Sequence, residues 1–152
     1  MMLAQPFLIA LYLLYTAVLA YVSWTDIRTR RIPNVVIGPA ALVALIAMHW
    51  TLGERSALLG AVLAPTPLIV ARMLMGGNQV GMGDIKLAIF IGLILGFPLA
   101  LWSIVLALVL SLVVGFGGML RGAYTLRSKL PFGPFLAIGA LPLLLVVSLI
   151  SS

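Results

Sequence analysis

The sequence predicts an all-α fold: a polytopic membrane helical bundle of about six transmembrane helices, forming one domain over residues 1–152. Three observations predict it. First, 64% of the residues are hydrophobic and only 8% are charged, whereas a soluble domain carries about 25% charged residues. No water-soluble core absorbs that much apolar surface, so the bilayer must be the solvent. Second, the apolar runs are long and unbroken and lack the alternation of barrel strands. Every backbone polar group must be satisfied inside hydrocarbon, so helices are the remaining way across. Third, the basic residues sit in short segments between the runs, as in multi-spanning proteins.

A helical span needs about 20 apolar residues. The first is expected at residues 3–24. It is apolar from the start, without a basic n-region or a small-residue cleavage site, so it reads as a retained span. The second is expected at 33–51 and the third at 56–75. The fourth is short, at 84–97, and the fifth lies at 99–120. Gly96-Phe97-Pro98 between them is a tight-turn signal; one re-entrant hairpin is the alternative reading there. The sixth, at 132–150, opens among Pro131, Gly133 and Pro134, and proline is tolerated in a first helical turn.

Six spans put Arg28, Arg30, Arg31, Arg72, Lys86, Arg121, Arg127 and Lys129 on one side and Arg55 alone on the other. This asymmetry assigns the first side to the cytoplasm and both termini to the outside. Trp24 then falls near the inner interface and Trp50 and Trp102 near the outer one, as an aromatic belt requires. The net charge of +6 is thus a topology signal rather than a stripe for nucleic acid, and no nucleic-acid partner is expected. The absence of cysteine excludes disulfides, thiolate metal sites and a cysteine nucleophile. A single histidine, His49, reads as an interfacial residue. It cannot assemble a metal cluster, so neither metal nor cofactor is expected.

Three acidic residues remain. Glu54, beside Arg55, reads as a solvated loop charge. Asp26 ends the first span and Asp84 opens the fourth. Because these spans run in opposite directions, both aspartates reach the cytoplasmic boundary at similar depth. Packing the first span against the fourth would bring them together. An ionisable residue at a transmembrane helix centre costs about 2.5–3.5 kcal/mol, less near an interface, and is a functional candidate by default. Two carboxylates held close share a proton, because they cannot both ionise easily. One can then activate a water while the other polarises a carbonyl and protonates the leaving amine.

Gly81 and Gly83 lack a Cβ, so the loop 76–83 can take positive φ and approach a substrate. The loop would also set Asp84 at a helix N-terminus, where the dipole favours negative charge. Singly, each aspartate has a simpler reading: Asp84 as an N-cap, Asp26 as an interface residue paired with Arg28 or Arg30. A small ion- or proton-coupled transporter would use the same carboxylates, and a non-enzymatic assembly subunit would need neither.

The motifs narrow these alternatives. Gly81-Met82-Gly83-Asp84 matches the GxGD signature of membrane aspartic peptidases, and with Ile85-Lys86-Leu87 it resembles the type IV prepilin peptidase family. The run Asp26-Ile27-Arg28-Thr29-Arg30-Arg31-Ile32-Pro33-Asn34 is similar to that family's first catalytic segment, in the short form serving tight-adherence (Flp-type) pili. Pro131-Phe132-Gly133-Pro134-Phe135-Leu136-Ala137 resembles a third family segment. The three occur in family order and span nearly the whole chain.

The resemblance implies a membrane aspartic endopeptidase. Such an enzyme removes the basic leader peptide from prepilins and pseudopilins at the cytoplasmic face of the inner membrane. Cleavage follows a glycine, just before the hydrophobic helix. It implies Asp26 and Asp84 as the catalytic pair, Gly81 and Gly83 as motif glycines and Lys86 as the motif lysine. Lys86 would tune local electrostatics; a positive-inside anchor is its alternative role. The expected partners are a prepilin or pseudopilin substrate and the lipid bilayer. Long family members carry an N-terminal cytoplasmic region with cysteine pairs and N-methylate the new terminus. This sequence shows neither that region nor any cysteine, so methyltransferase activity, its SAM cofactor and zinc are not expected.

Overall fold

The computed structural model describes residues 4–51, 53–74, 80–122 and 131–151. All regular structure among them is helical: α1 (Ala4–Thr29), α2 (Asn34–Ala47), α3 (Glu54–Leu63), α4 (Thr66–Leu74), α5 (Met82–Leu95), α6 (Leu99–Leu120) and α7 (Gly133–Ser151). The expected all-α membrane bundle is what forms. The helices α1 and α6 and the combined length Glu54–Leu74 are long and apolar enough to cross a membrane.

Three elements depart from the spans read in the sequence. The third span is broken into α3 and α4 by a turn at Ala64 and Pro65. Pro65 and Pro67 bring no amide hydrogen, so this stretch of the helical ladder loses two donors. The first span runs on to Thr29 instead of stopping at Trp24. Its last turns hold because Thr25 and Thr29 bond back to Val22 and Thr25 carbonyls and Arg28 stacks over Trp24, 4.3 Å from the ring centroid. Arg30, at φ 51°, then leaves the helix before Pro33. The fourth span starts at Met82, so Asp84 is the third residue of α5 and not its first.

With 14 residues and about 1.5 Å of rise each, α5 falls short of the roughly 30 Å hydrocarbon layer. It need not match that thickness, because it is the core. Leu87, Ala88, Phe90 and Ile91 are fully buried, and α2, α3, α6 and α7 surround the helix. Against α3 the backbones touch: a Cβ on either Gly60 or Gly92 would collide with the other's carbonyl. Gly96, at φ 64°, ends α5. Phe97 N–H then donates to the Ser56 carbonyl (2.9 Å), and Ser56 Oγ donates to the Phe97 carbonyl (3.0 Å).

These contacts define the two ends of the bundle. At one end Phe7 stacks edge-on against Trp50, His49 pairs with Glu54 at 3.0 Å, and Ser56 holds the α5–α6 turn. Glu54 therefore belongs with His49 as well as beside Arg55. The opposite end gathers the C-termini of α1, α4 and α6 and the N-termini of α2, α5 and α7. Arg28, Arg30, Arg31, Arg72, Lys86 and Arg121 lie there, and Arg55 lies at the other end. Arg127 and Lys129, also read as belonging to the basic side, are outside the described residues, as are residues 76–79 of the glycine loop.

Candidate active site

The buried face of α1 explains where Asp26 goes. Tyr15, Leu19 and Val22 are 2%, 0% and 0% exposed, and Asp26 is 5% exposed. Their spacing of four, three and four residues keeps them on one helical face. Asp26 thus occupies the next core-facing position of an apolar stripe. It is not a snorkelling interface residue, and it makes no ion pair with Arg28 or Arg30 among the described residues.

A buried carboxylate needs donors, and Asp26 receives one from a distant element. The Gly133 N–H, at the first residue of α7, donates to Asp26 Oδ2 at 2.9 Å. Intrahelical partners do not exist for the first amides of a helix, so this contact satisfies both groups. Asp84 is held in parallel fashion by its own helix start. The Gly81 N–H donates to Asp84 Oδ2 at 3.2 Å, and Asp84 is half-buried. Each aspartate thus has one oxygen anchored to a glycine amide. The Oδ1 atoms carry no hydrogen bond to a described residue.

Asp26 lies within Coulombic reach of Asp84. The expected route to this meeting, direct packing of the first span on the fourth, is only part of it. Tyr15 of α1 and Phe90 of α5 do touch edge-on, with centroids 5.8 Å apart. The main neighbour of α1, however, is α7, with a smaller contact to α2, and the same two helices pack on α5. The braces between the two carboxylate-bearing helices are therefore α2 and α7.

The motif glycines act differently from the expectation. Gly81 is extended, at φ −69° and ψ 144°, and Gly83 lies inside α5. Neither is among the positive-φ glycines, which are Gly53, Gly96 and Gly122 among the described residues. Gly83 serves close approach: a Cβ there would sit 2.8 Å from Ile32 Cβ. Three residues later, Lys86 Nζ donates to Asn34 Oδ1 at 2.9 Å. The first turn of α5 is thus keyed to Ile32-Pro33-Asn34 at two points. Lys86 has a specific acceptor, which neither local electrostatics nor membrane anchoring anticipates. Nearby, Arg72 at the end of α4 donates to the Val80 carbonyl, just ahead of Gly81.

The sequence singled out Asp26, Asp84, Gly81, Gly83 and Lys86; it did not reveal the contacts that Ile32, Asn34 and Gly133 make with them. The period of the buried stripe 15-19-22-26 was the available signal for Asp26's burial. A glycine between Pro131 and Pro134, where no turn demands one, was the signal for Gly133. The described residues contain no cluster of three potential metal ligands.

The model of the type IV leader peptidase family matches residues 13–116 of this chain. That stretch includes Asp26, Asn34, Gly81, Gly83, Asp84 and Lys86 and stops before Gly133. A curated prepilin leader peptidase/N-methyltransferase of Burkholderia pseudomallei strain 1026b is 31% identical over 129 residues, covering 81% of this chain and 42% of that protein. The protein of the same description from Bacillus subtilis strain 168 is 28% identical over 134 residues, covering 84% of this chain and 52% of that protein. The chain spans about half the length of the curated relatives it matches. No solved structure matches it significantly.

Proposed function

The chain belongs to the type IV leader peptidase family, and we propose that it is an aspartic endopeptidase cleaving the basic leader from prepilins or pseudopilins. The observation that carries this reading is the pair of carboxylates at one end of the bundle, Asp26 on α1 and Asp84 on α5, each with one oxygen held by a glycine amide. Family membership favours leader cleavage over the transporter that the same carboxylates would otherwise suit.

The pair hydrolyses an amide without metal or covalent intermediate. Two carboxylates brought close hold one proton between them. The ionised member takes a proton from a water as the water oxygen attacks the scissile carbonyl carbon. The protonated member donates its hydrogen bond to the carbonyl oxygen, where negative charge develops. As the tetrahedral intermediate collapses, a proton passes to the amide nitrogen and the C–N bond breaks. The products are a leader with a new carboxyl terminus and a pilin with a free amino terminus.

The Gly81 and Gly133 amides hold the two Oδ2 atoms, which fixes the carboxylates while the Oδ1 atoms remain for water and substrate. The basic residues at this end support a cytoplasmic orientation in the plasma membrane. A leader-bearing chain in that membrane would present its cleavage site, after a glycine and before its apolar helix, at the same face.

The test is leader removal from a prepilin by purified protein in lipid vesicles. Asp26→Asn and Asp84→Asn should each lower the rate by at least about 100-fold, the scale of general acid–base catalysis. Asn keeps an oxygen that can still accept the glycine N–H, so both variants should insert and unfold like the parent. Cleavage at parental rate by either variant would refute the pair.

A further inference from the structure

We infer that Gly133 is a positioning residue for Asp26, and that the start of α7 is the third part of the catalytic centre. This rests on the aspartate-pair reading above. Two independent features of position 133 carry it. Its N–H donates to Asp26 Oδ2 at 2.9 Å across a buried contact between elements distant in sequence. Its missing side chain makes that approach possible. A Cβ at 133 would lie 2.8 Å from Asp26 Oδ2 and 3.1 Å from both Cβ and Cγ of Asp26. The clash is with Cβ and Cγ at the root of the side chain as well as with one oxygen, so no rotation of a flexible tip relieves it.

Glycine here is not required by backbone conformation, since position 133 is the first residue of a right-handed helix and is not among the positive-φ glycines. The requirement is proximity to Asp26. Pro134 follows and brings no N–H of its own, so among residues 133 and 134 only the Gly133 amide can donate. Phe132 accepts from the Leu136 N–H at 3.1 Å, which sets the turn that aims this amide. The amide therefore fixes one oxygen of Asp26, and the open space at 133 lets the carboxylate sit where Asp84 can share its proton. A shift of that carboxylate by about 1 Å costs on the order of 100-fold in rate.

The experiment compares Gly133→Ala with Gly139→Ala in the full chain reconstituted in vesicles, using a prepilin as the substrate. A Cβ at 139 meets the Ser103 carbonyl and Ala107, so this variant crowds α7 against α6 away from the aspartates. Gly133→Ala should lower kcat by about 100-fold, the cost of a misplaced catalytic group, with KM unchanged. Gly139→Ala should lower the unfolding temperature and keep kcat per folded molecule. Parental kcat in Gly133→Ala, with Asp26→Asn inactive, overturns the positioning role and leaves the aspartate pair standing. Activity in Asp26→Asn overturns the pair itself. Loss in Gly133→Ala that merely tracks the folded fraction also overturns the inference. Should Gly133→Ala alone fail to fold, the double variant with Asp26→Gly, which removes the Cβ together with the carboxyl group, decides. Recovery of the folded bundle ties the crowding to the Asp26 side chain, and equal failure overturns it.

Discussion

Asp26 sits on the same helical face as Tyr15, Leu19 and Val22 and is nearly as buried. A carboxyl group at a core position is destabilising unless donors or charge partners compensate it. Among the described residues its donor is an amide of α7, far off in sequence, and Asp84 at the start of α5 lies at the same end of the bundle. At the same scale, Lys86 and Asn34 form the side-chain bond that joins the two aspartate-bearing motif segments. Both residues are exposed, so the bond contributes at most about 1 kcal/mol to stability. Its role is register. Lys86→Met and Asn34→Ala should each slow cleavage modestly. The double variant should be no slower than the worse single one, because the two changes remove the same bond. Additive losses in a double-mutant cycle on the cleavage rate would show that the two side chains act separately.

The helix α5 sets the energetics of the next scale. Its buried surface runs almost all round, so its neighbours and not the lipid decide its position. The Gly60–Gly92 approach brings α3 and α5 into backbone contact. Gly92→Val would force the helices apart, and overpacking of this kind costs about 1–3 kcal/mol or more. A lowered unfolding temperature in detergent should record it, with a smaller drop for Gly92→Ala. An unchanged unfolding temperature for Gly92→Val would mean that the close contact contributes nothing. The apolar runs that become helices were legible in composition alone. The break at Pro65 was written in Pro65 and Pro67 but masked by the continuous hydropathy of 56–75. The extension of α1 to Thr29 depends on local back-bonding and on Arg28 over Trp24, which hydropathy does not register.

For the whole molecule, the contacts at each end give a labelling pattern. Arg31→Cys and Met82→Cys should react with an impermeant thiol reagent from one side of the membrane. Trp50→Cys and Phe97→Cys should react from the other. These four positions are exposed, and the chain has no cysteine of its own. Reaction of Arg31→Cys and Met82→Cys from opposite faces would separate the two motif segments and end the proposal of a shared site.

By itself the sequence determined that this protein is a membrane helical bundle of the leader peptidase family, and it singled out Asp26 and Asp84 as the candidates for its chemistry. Hydropathy and charge placement are one-dimensional properties, and membership of the leader peptidase family rests on a match that reads along residues 13–116. The tertiary structure alone decided how the motifs are held. The α7 amide donates to Asp26, Ile32 fills the space left by Gly83, Asn34 receives Lys86, and α2 and α7 brace α1 and α5. Each of these contacts joins elements apart in sequence; the first two exist because a missing Cβ or a free helix-end amide meets a partner across a packed interface. Such meetings depend on how helices cross, and no pattern along a single helix encodes that.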